Sequence, residues 1–264
     1  MHSLSSAPFA VRDVRAYQDR YHDLDPESRL RLDLAVAHRW AARWGWSEGV
    51  VNHFTAMLPG HRDRFLAIPY GVHWSEVKAR DFVVLGLDGD VLEGEGEIEL
   101  TSLLIHGAMH RGLPHANVIL HTHQPHIAAL TCLEDQSAEF CSQHMLHFPD
   151  RIAYMNTYGL ATKTSIGDLI LEAIGDKDIL LMANHGITVC GSTVHEAFDD
   201  LYTLDRACQA QILALSTGRK LRVIDPATVA SMKADARAKG IEEGEMHFRA
   251  LRRMLWRDEP DLAA

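Results

Sequence analysis

The feature that most constrains this chain is the run at residues 118–123, which reads Val-Ile-Leu-His-Thr-His. Its aliphatic residues are typical of a buried strand, and side chains alternate between the two faces along a strand. His121 and His123 should therefore project from one face, with their backbone positions about 6–7 Å apart. Two imidazoles placed in this way suit two ligands of one metal ion, and such a site needs a third protein ligand from elsewhere.

A second apolar run, Ile179-Leu180-Leu181-Met182, precedes Asn184-His185-Gly186. A continuous run of this kind predicts a strand that is covered on both faces. His121, His123 and His185 could then surround one ion and leave positions open for water or substrate, as in a catalytic site. The alternative is three separate histidines that bond to backbone groups, and spacing alone does not decide between the two.

The rest of the chain alternates between short strand signals and helical patterns. Residues 1–24 are polar and mixed, and we interpret them as an N-terminal arm. Residues 220–264 are expected to form a C-terminal helical extension. Because no repeat or linker is visible, residues 1–264 are expected to form a single domain. The other predicted elements are a helix opened by Asp25-Pro26, a hairpin over 81–93, helices over 101–112 and 124–133, and a helix after a capping box at Thr193–Glu196.

The charge balance and the cysteines exclude several classes of protein. Lys and Arg number 26 against 36 Asp and Glu, which gives a net charge of −10 without a basic stripe. Nucleic acid and anionic membranes are therefore poor candidates for partners. The four cysteines form no CxxC pair, and no apolar run approaches the roughly 18 residues of a membrane span. We expect a cytoplasmic protein with a small-molecule substrate.

Three groups of residues resemble the class II aldolase/adducin family. They are Asn52-His53-Phe54-Thr55, His106 with 114–123, and 180–191 followed by Glu196-Ala197-Phe198. The family's usual Gly-Asn is Asn52-His53 here, which resembles the adducin-like branch. The resemblance implies an α/β/α sandwich around a mostly antiparallel central sheet, and usually a homotetramer. It also implies that His121, His123 and His185 hold one divalent metal ion, most commonly zinc and in some members manganese, iron or cobalt.

The same resemblance implies a metal-dependent lyase that cleaves a carbon–carbon bond through a metal-stabilised enediolate. Two departures bear on the substrate. Ser102 stands where sugar-phosphate aldolases carry an acid/base Glu, and the nearest carboxylates are Glu99 and Glu97. Tyr70-Gly71 and Leu100-Thr101 fall on the phosphate-binding positions, and a leucine side chain offers no donor to phosphate. We therefore expect decarboxylation or aldol-type cleavage of a non-phosphorylated hydroxy, keto or aromatic acid.

The candidate proton donors for this reaction are His144, Gln143, Tyr154 and His53. His106 and His110, spaced i, i+4, could also hold a metal, but the zinc-protease Glu between such histidines is missing and packing roles are favoured. Two other functions remain open. One is a non-catalytic scaffold like the adducin head, which a pull-down on filamentous actin would distinguish. The other is a metal-dependent epimerase or dehydratase.

Overall fold

One eight-stranded sheet forms the centre of the protein. The structure, a computed structural model, describes residues 20–157 and 166–263, without the side chains of residues 234–238. Most of the predicted N-terminal arm, residues 1–19, therefore lies outside the described residues. The strands are β1 (His53–Met57), β2 (Arg64–Ala67), β3 (Val83–Gly86), β4 (Val91–Glu93), β5 (Val118–Thr122), β6 (Ile152–Met155), β7 (Ile179–Met182) and β8 (Gly186–Gly191).

The spatial order of the strands is β4-β3-β2-β1-β5-β8-β7-β6. Every neighbouring pair is antiparallel except β6 and β7. β5 lies in the middle, between β1 and β8, and is buried along its whole length. The register places His121 opposite His53 on one side and opposite Thr188 on the other.

Helices cover both faces of this sheet. They are α1 (Pro26–Arg43), α2 (residues 100–112), α3 (Pro125–Thr131), α4 (Ile166–Ile174), α5 (Val194–Leu215) and α6 (Pro226–Asp258), with short 3-10 turns at Ala79–Asp81, Gln143–His147 and Pro260–Ala263. None of the helices in the described part of the chain is both long and apolar enough to cross a bilayer.

The two faces of the sheet pack into separate apolar clusters. On one face, side chains such as Phe54 and Leu120 join a cluster with residues of α1, α3, α5 and α6. On the other, Ile119 and Leu180 pack with residues of α2 and α4. The predicted α/β/α sandwich around a mostly antiparallel sheet is thus confirmed.

The helix starts follow from their local sequences. The Asp25 carboxylate accepts hydrogen bonds from the backbone N–H groups of Glu27 and Ser28, each at 3.0 Å, as an N-cap residue does. Thr193 caps α5 as predicted, although the Glu196 carboxylate reaches the N–H of Ser192 rather than that of Thr193. The predicted C-terminal extension contains α6, which is anchored to α1 by the indole N–H of Trp40 on the carbonyl of Leu251.

The predicted helix over 101–112 is not a regular α-helix. A π-helical turn occupies Leu103–Gly107, between α-helical turns at Leu100–Ser102 and Ala108–Gly112. A π-helical turn contains one residue more than an α-turn, and such turns often occur at functional sites. The spacing of apolar residues could not predict this π-helical turn, because the core residues before and after it recur at intervals that also fit an α-helix.

Candidate metal centre

His121, His123 and His185 come together at the end of β5. One ligand nitrogen from each of the three rings lies within 4.8 Å of the others. The Nε2 atoms of His121 and His123 are 3.0 Å apart, and the ring centroids of the three residues are 4.7–4.9 Å apart. Three nitrogens at these separations can bind one first-row ion at the usual distance of about 2.0–2.1 Å after small side-chain adjustments.

The turn between β7 and β8 explains the Asn184-His185-Gly186 motif. Asn184 adopts a positive φ of 56°, a conformation that Asn tolerates better than most residues. His185 follows as the third imidazole of the cluster. At Gly186 an added Cβ would overlap the carbonyl oxygen of Thr122 and would lie 2.7 Å from Cδ2 of His123. The positive φ therefore explains the Asn, the histidine cluster explains the His, and the close approach of Thr122 and His123 explains the Gly.

Hydrogen bonds fix the orientation of the His121 and His123 rings. Nδ1–H of His121 donates to the carbonyl of Ile187 at 2.9 Å, which leaves its Nε2 lone pair directed toward His123. Nδ1 of His123 lies 2.5 Å from a carboxylate oxygen of Glu48. Metal-bound histidines commonly donate their second N–H to a carbonyl or a carboxylate, so both partners fit a metal site.

Burial keeps two of the three imidazoles in the neutral form that binds metals. It lowers the pKa of His121 well below 6.5, with a further contribution from neighbouring imidazoles. It also lowers the pKa of His185 from 6.5 to about 4. Metal binding needs neutral imidazole, so no proton has to leave these two side chains near neutral pH.

His53 and Glu99 border this cluster. The ring of His53 stacks on that of His121, with centroids 5.0 Å apart, because the two residues are register partners on β1 and β5. Burial lowers the pKa of His53 from 6.5 to about 3. Nε2 of His53 lies 3.6 Å from the carboxylate of Glu99, whereas Glu97 is exposed. Of the two carboxylates nearest to Ser102, Glu99 is therefore the one placed beside the site.

His106 and His110 lie next to His53 and outside the triad. Their nitrogens are within 2.6–2.9 Å of partners on His53, Thr55 and the carbonyl of Ala116. The two residues therefore have the packing and hydrogen-bonding roles that the sequence favoured over metal binding.

The other three predicted proton donors lie away from the triad within one chain. Gln143 and His144 are exposed on a turn that packs against α5 and α6, on the sheet face opposite to that of His121. Tyr154 lies on β6, three strands from β5 and thus about 14 Å away, and its hydroxyl accepts from the N–H of Ala138. A catalytic role for these three residues stays a prediction.

Two features of this site could not be predicted from the sequence. Glu48 lies in a loop far from the histidines in sequence, and no periodicity or motif marks it. The carbonyl of Ile187 is a backbone group and leaves no trace in residue identity. The Gly186 position was visible as part of a motif, but its steric reason required the distance between β8 and His123.

Comparisons with known proteins point to one family. The sequence profile of the "Class II Aldolase and Adducin N-terminal domain" matches residues 32–212. A Caulobacter vibrioides protein, provisionally named as a class 2 aldolase, is 30% identical over 203 residues, which cover 76% of this chain and 79% of that protein. Mouse alpha-adducin is 30% identical over 265 residues, which cover 93% of this chain but only 35% of the adducin.

Solved structures show the same fold. An aldolase II superfamily protein from Pseudomonas syringae superposes with a TM-score of 0.84 at 30% identity, covering 94% of this chain and 100% of that one. An L-fuculose 1-phosphate aldolase from Glaciozyma antarctica superposes with a TM-score of 0.78 at 21% identity, covering 94% of each chain. The second likeness concerns the fold alone.

Proposed function

Since this chain belongs to the class II aldolase and adducin family, we propose that it is a metal-dependent carbon–carbon lyase. The substrate would be a small, non-phosphorylated hydroxy, keto or aromatic acid, and the reaction decarboxylation or aldol-type cleavage. The observation that carries the proposal is the cluster of His121, His123 and His185, in which two rings are held by Ile187 and Glu48. Three protein ligands leave room for a substrate in the coordination sphere, which distinguishes catalytic from structural sites.

A divalent ion bound there, with zinc as the first choice and manganese, iron or cobalt as others, would act as a Lewis acid toward a substrate carbonyl. The protein supplies the remaining functions. Ile187 and Glu48 orient two ligands, and His53 stands against His121 with Glu99 behind it. His53 and Glu99 are the candidates for holding or transferring a proton at the substrate.

Charge argues against a phosphorylated substrate. The segment before α2 carries Glu93, Glu95 and Glu97, all exposed, and Glu99 at its end borders the site. Leu100 and Tyr70, at the family's phosphate-binding positions, are more than half exposed and bring no positive charge. A dianionic phosphate beside the Glu99 carboxylate would be repelled, whereas a carboxylate bound directly to the ion would be attracted to it.

Asn52, which precedes His53 in the sequence, carries a buried side-chain amide. Asn52 is 6% exposed and has a positive φ of 75°, and neither side-chain polar atom has a hydrogen-bond partner among the described residues. A buried amide without partners is costly, and a bound polar molecule would satisfy it.

The first experiment is elemental analysis of the purified protein beside a His121→Ala/His123→Ala double variant. We expect about one divalent ion per chain in the wild type and none in the variant. The metal-loaded protein is then tested on a panel of keto, hydroxy and aromatic acids, with carbon dioxide and aldehyde as products. A metal-loaded protein that turns over no member of a broad panel would refute the lyase proposal.

A second candidate function is a scaffold without catalysis, and the similarity to alpha-adducin over 93% of this chain favours testing it. Because this chain spans about a third of alpha-adducin, activities of the whole adducin do not transfer directly. Co-sedimentation with filamentous actin separates the two candidates. We expect no binding, and saturable binding together with absent turnover would favour the scaffold.

A further inference from the structure

A continuous chain of hydrogen bonds runs behind the metal centre. Nδ1 of His53 lies 2.8 Å from Nε2 of His106, and Nδ1 of His106 lies 2.6 Å from Oγ1 of Thr55. The same Thr55 oxygen lies 2.8 Å from Nε2 of His110, and Nδ1 of His110 lies 2.9 Å from the carbonyl oxygen of Ala116. All four side chains are buried, so water does not compete for these bonds.

The carbonyl at the far end fixes the direction of every bond in the chain. A carbonyl only accepts, so Nδ1 of His110 carries the hydrogen. Burial lowers the pKa of His110 to about 4 and that of His106 well below 6.5, so each ring carries one hydrogen near neutral pH. Nε2 of His110 must then accept from the hydroxyl of Thr55, whose single hydrogen is thereby used.

The directions of the remaining hydrogen bonds, toward the metal centre, follow in the same way. The Thr55 hydroxyl donates its only hydrogen to His110, so toward His106 its oxygen can only accept. Nδ1–H of His106 therefore donates to Oγ1 of Thr55, and Nε2 of His106 accepts from Nδ1–H of His53. In the neutral ring of His53, Nε2 is then left as an acceptor. It faces the Glu99 carboxylate at 3.6 Å. The hydroxyl of Thr101 lies 3.4 Å from this nitrogen, but its single hydrogen is donated to the Glu99 carboxylate. Two acceptors therefore face each other, and the described hydrogen-bond chain supplies no hydrogen between them.

We propose that His106, Thr55 and His110 are positioning residues that hold His53 in its Nδ1–H tautomer, so that Nε2 of His53 and Glu99 together receive a hydrogen bond from a substrate hydroxyl. The inference rests on the proposed function for the presence of a substrate there. It narrows the substrate class to acids that carry a hydroxyl group. A keto acid without a hydroxyl would leave both acceptors facing each other.

The first test reads the tautomer directly. Long-range ¹H–¹⁵N spectra of protein labelled at histidine nitrogen, with the His53 signals assigned through a His53→Gln variant, show which ring nitrogen carries the hydrogen. We expect it on Nδ1 of His53 in the wild type, both free of metal and loaded with zinc. A hydrogen on Nε2 of the neutral wild-type ring would overturn the inference without any variant.

A matched pair of variants tests the relay. Thr55→Val keeps the shape of the side chain but removes the hydroxyl, and Thr55→Ser keeps the hydroxyl. We expect Thr55→Ser to retain the Nδ1–H signal of His53 and Thr55→Val to lose it to a mixture of tautomers. Thermal melts identify a variant that has not folded. An unchanged His53 tautomer in folded Thr55→Val would show that the relay does not act on His53.

The substrate class is tested with malate and succinate as probes, which differ by one hydroxyl. Zinc-loaded wild type should bind malate up to about tenfold more tightly than succinate, the worth of one well-placed hydrogen bond. The preference should persist in Thr55→Ser and shrink in Thr55→Val. An equal preference in all three proteins would mean that the hydroxyl is recognised elsewhere. Failure to bind any metal would instead refute the proposed function and leave the tautomer result standing.

Discussion

Gly186 packs against His123 at the candidate metal centre, and its replacement by alanine gives a quantitative prediction. The added Cβ would lie 2.7 Å from Cδ2 of His123 and would also overlap the carbonyl oxygen of Thr122. Carbon atoms in contact are normally about 3.5–4.0 Å apart, so the imidazole or the strand must move by about 0.8 Å or more. Metal–nitrogen distances tolerate only about 0.2 Å, so His123 would no longer fit its ion.

The expected loss of metal affinity is about 100-fold or more. Removing an outer partner of a ligand already costs about 10–100-fold, and displacing the ligand itself costs more. The crowding should also lower the free energy of unfolding by about 1–3 kcal/mol. Zinc affinity is measured by competition with a coloured chelator, and stability by chemical denaturation of the metal-free protein.

Two further glycines provide controls for this experiment. Gly191 lies at the other end of β8, where an added Cβ would be 2.9 Å from Cβ of Ala197, so Gly191→Ala should destabilise the protein but keep its zinc affinity. Gly86 on β3 has room, with its nearest neighbours at 3.9 Å, so Gly86→Ala should change neither property much. If folded Gly186→Ala binds zinc as tightly as Gly191→Ala does, the steric reasoning is wrong.

Three further predictions concern metal removal, pH and the C-terminal helix. Chelation should lower the melting temperature, and adding zinc at about 100 times its Kd should restore roughly 2.7 kcal/mol, whereas the His121→Ala/His123→Ala variant should respond to neither. His38 is fully buried and burial lowers its pKa from 6.5 to about 4, so the unfolded chain binds a proton in this window that the native state does not. The free energy of unfolding should therefore fall by up to about 3 kcal/mol as the pH drops from 6.5 to 4, and His38→Phe should lose that share in denaturation series across pH. The Arg252 guanidinium lies 2.6 Å from the Asp33 carboxylate and both are buried, so Arg252→Ala should cost about 3–5 kcal/mol in urea denaturation, and Arg252→Met combined with Asp33→Asn should cost less.

The sequence predicted those features of the fold that depend on local physical properties of a few neighbouring residues. Asp25-Pro26 marked the start of α1, and the apolar run before His121 marked the central strand, because capping and burial are local properties. The meeting of His185 with His121 depended on the pairing of β5 with β8, which lie more than sixty residues apart. The spacing of histidines allowed that pairing, and the family resemblance was needed to expect it.

The contacts around the triad were beyond the sequence for another reason. Glu48 reaches His123 from a loop, and His53 meets His121 through a register that one residue of slippage would destroy. Loop trajectories and strand registers are set by the packing of the whole chain. Gln143, His144 and Tyr154 were chosen by chemical type alone, and the sheet separates them from the triad within one chain.

The π-helical turn in α2 has a consequence for how this site could be gained or lost. His53 lies near both Thr101 and His106, which are five positions apart. In a regular α-helix, residues five apart point about 140° away from each other, whereas the wider turn brings them toward one side. A deletion of one codon within residues 103–105 would leave Thr101 and His106 four positions apart, about 40° from each other in a regular α-helix, so both could still face His53. If the same residues instead formed a regular α-helix of unchanged length, His53 would lose one of the two contacts, so the π-helical turn is what allows this helix to carry its extra residue next to the site.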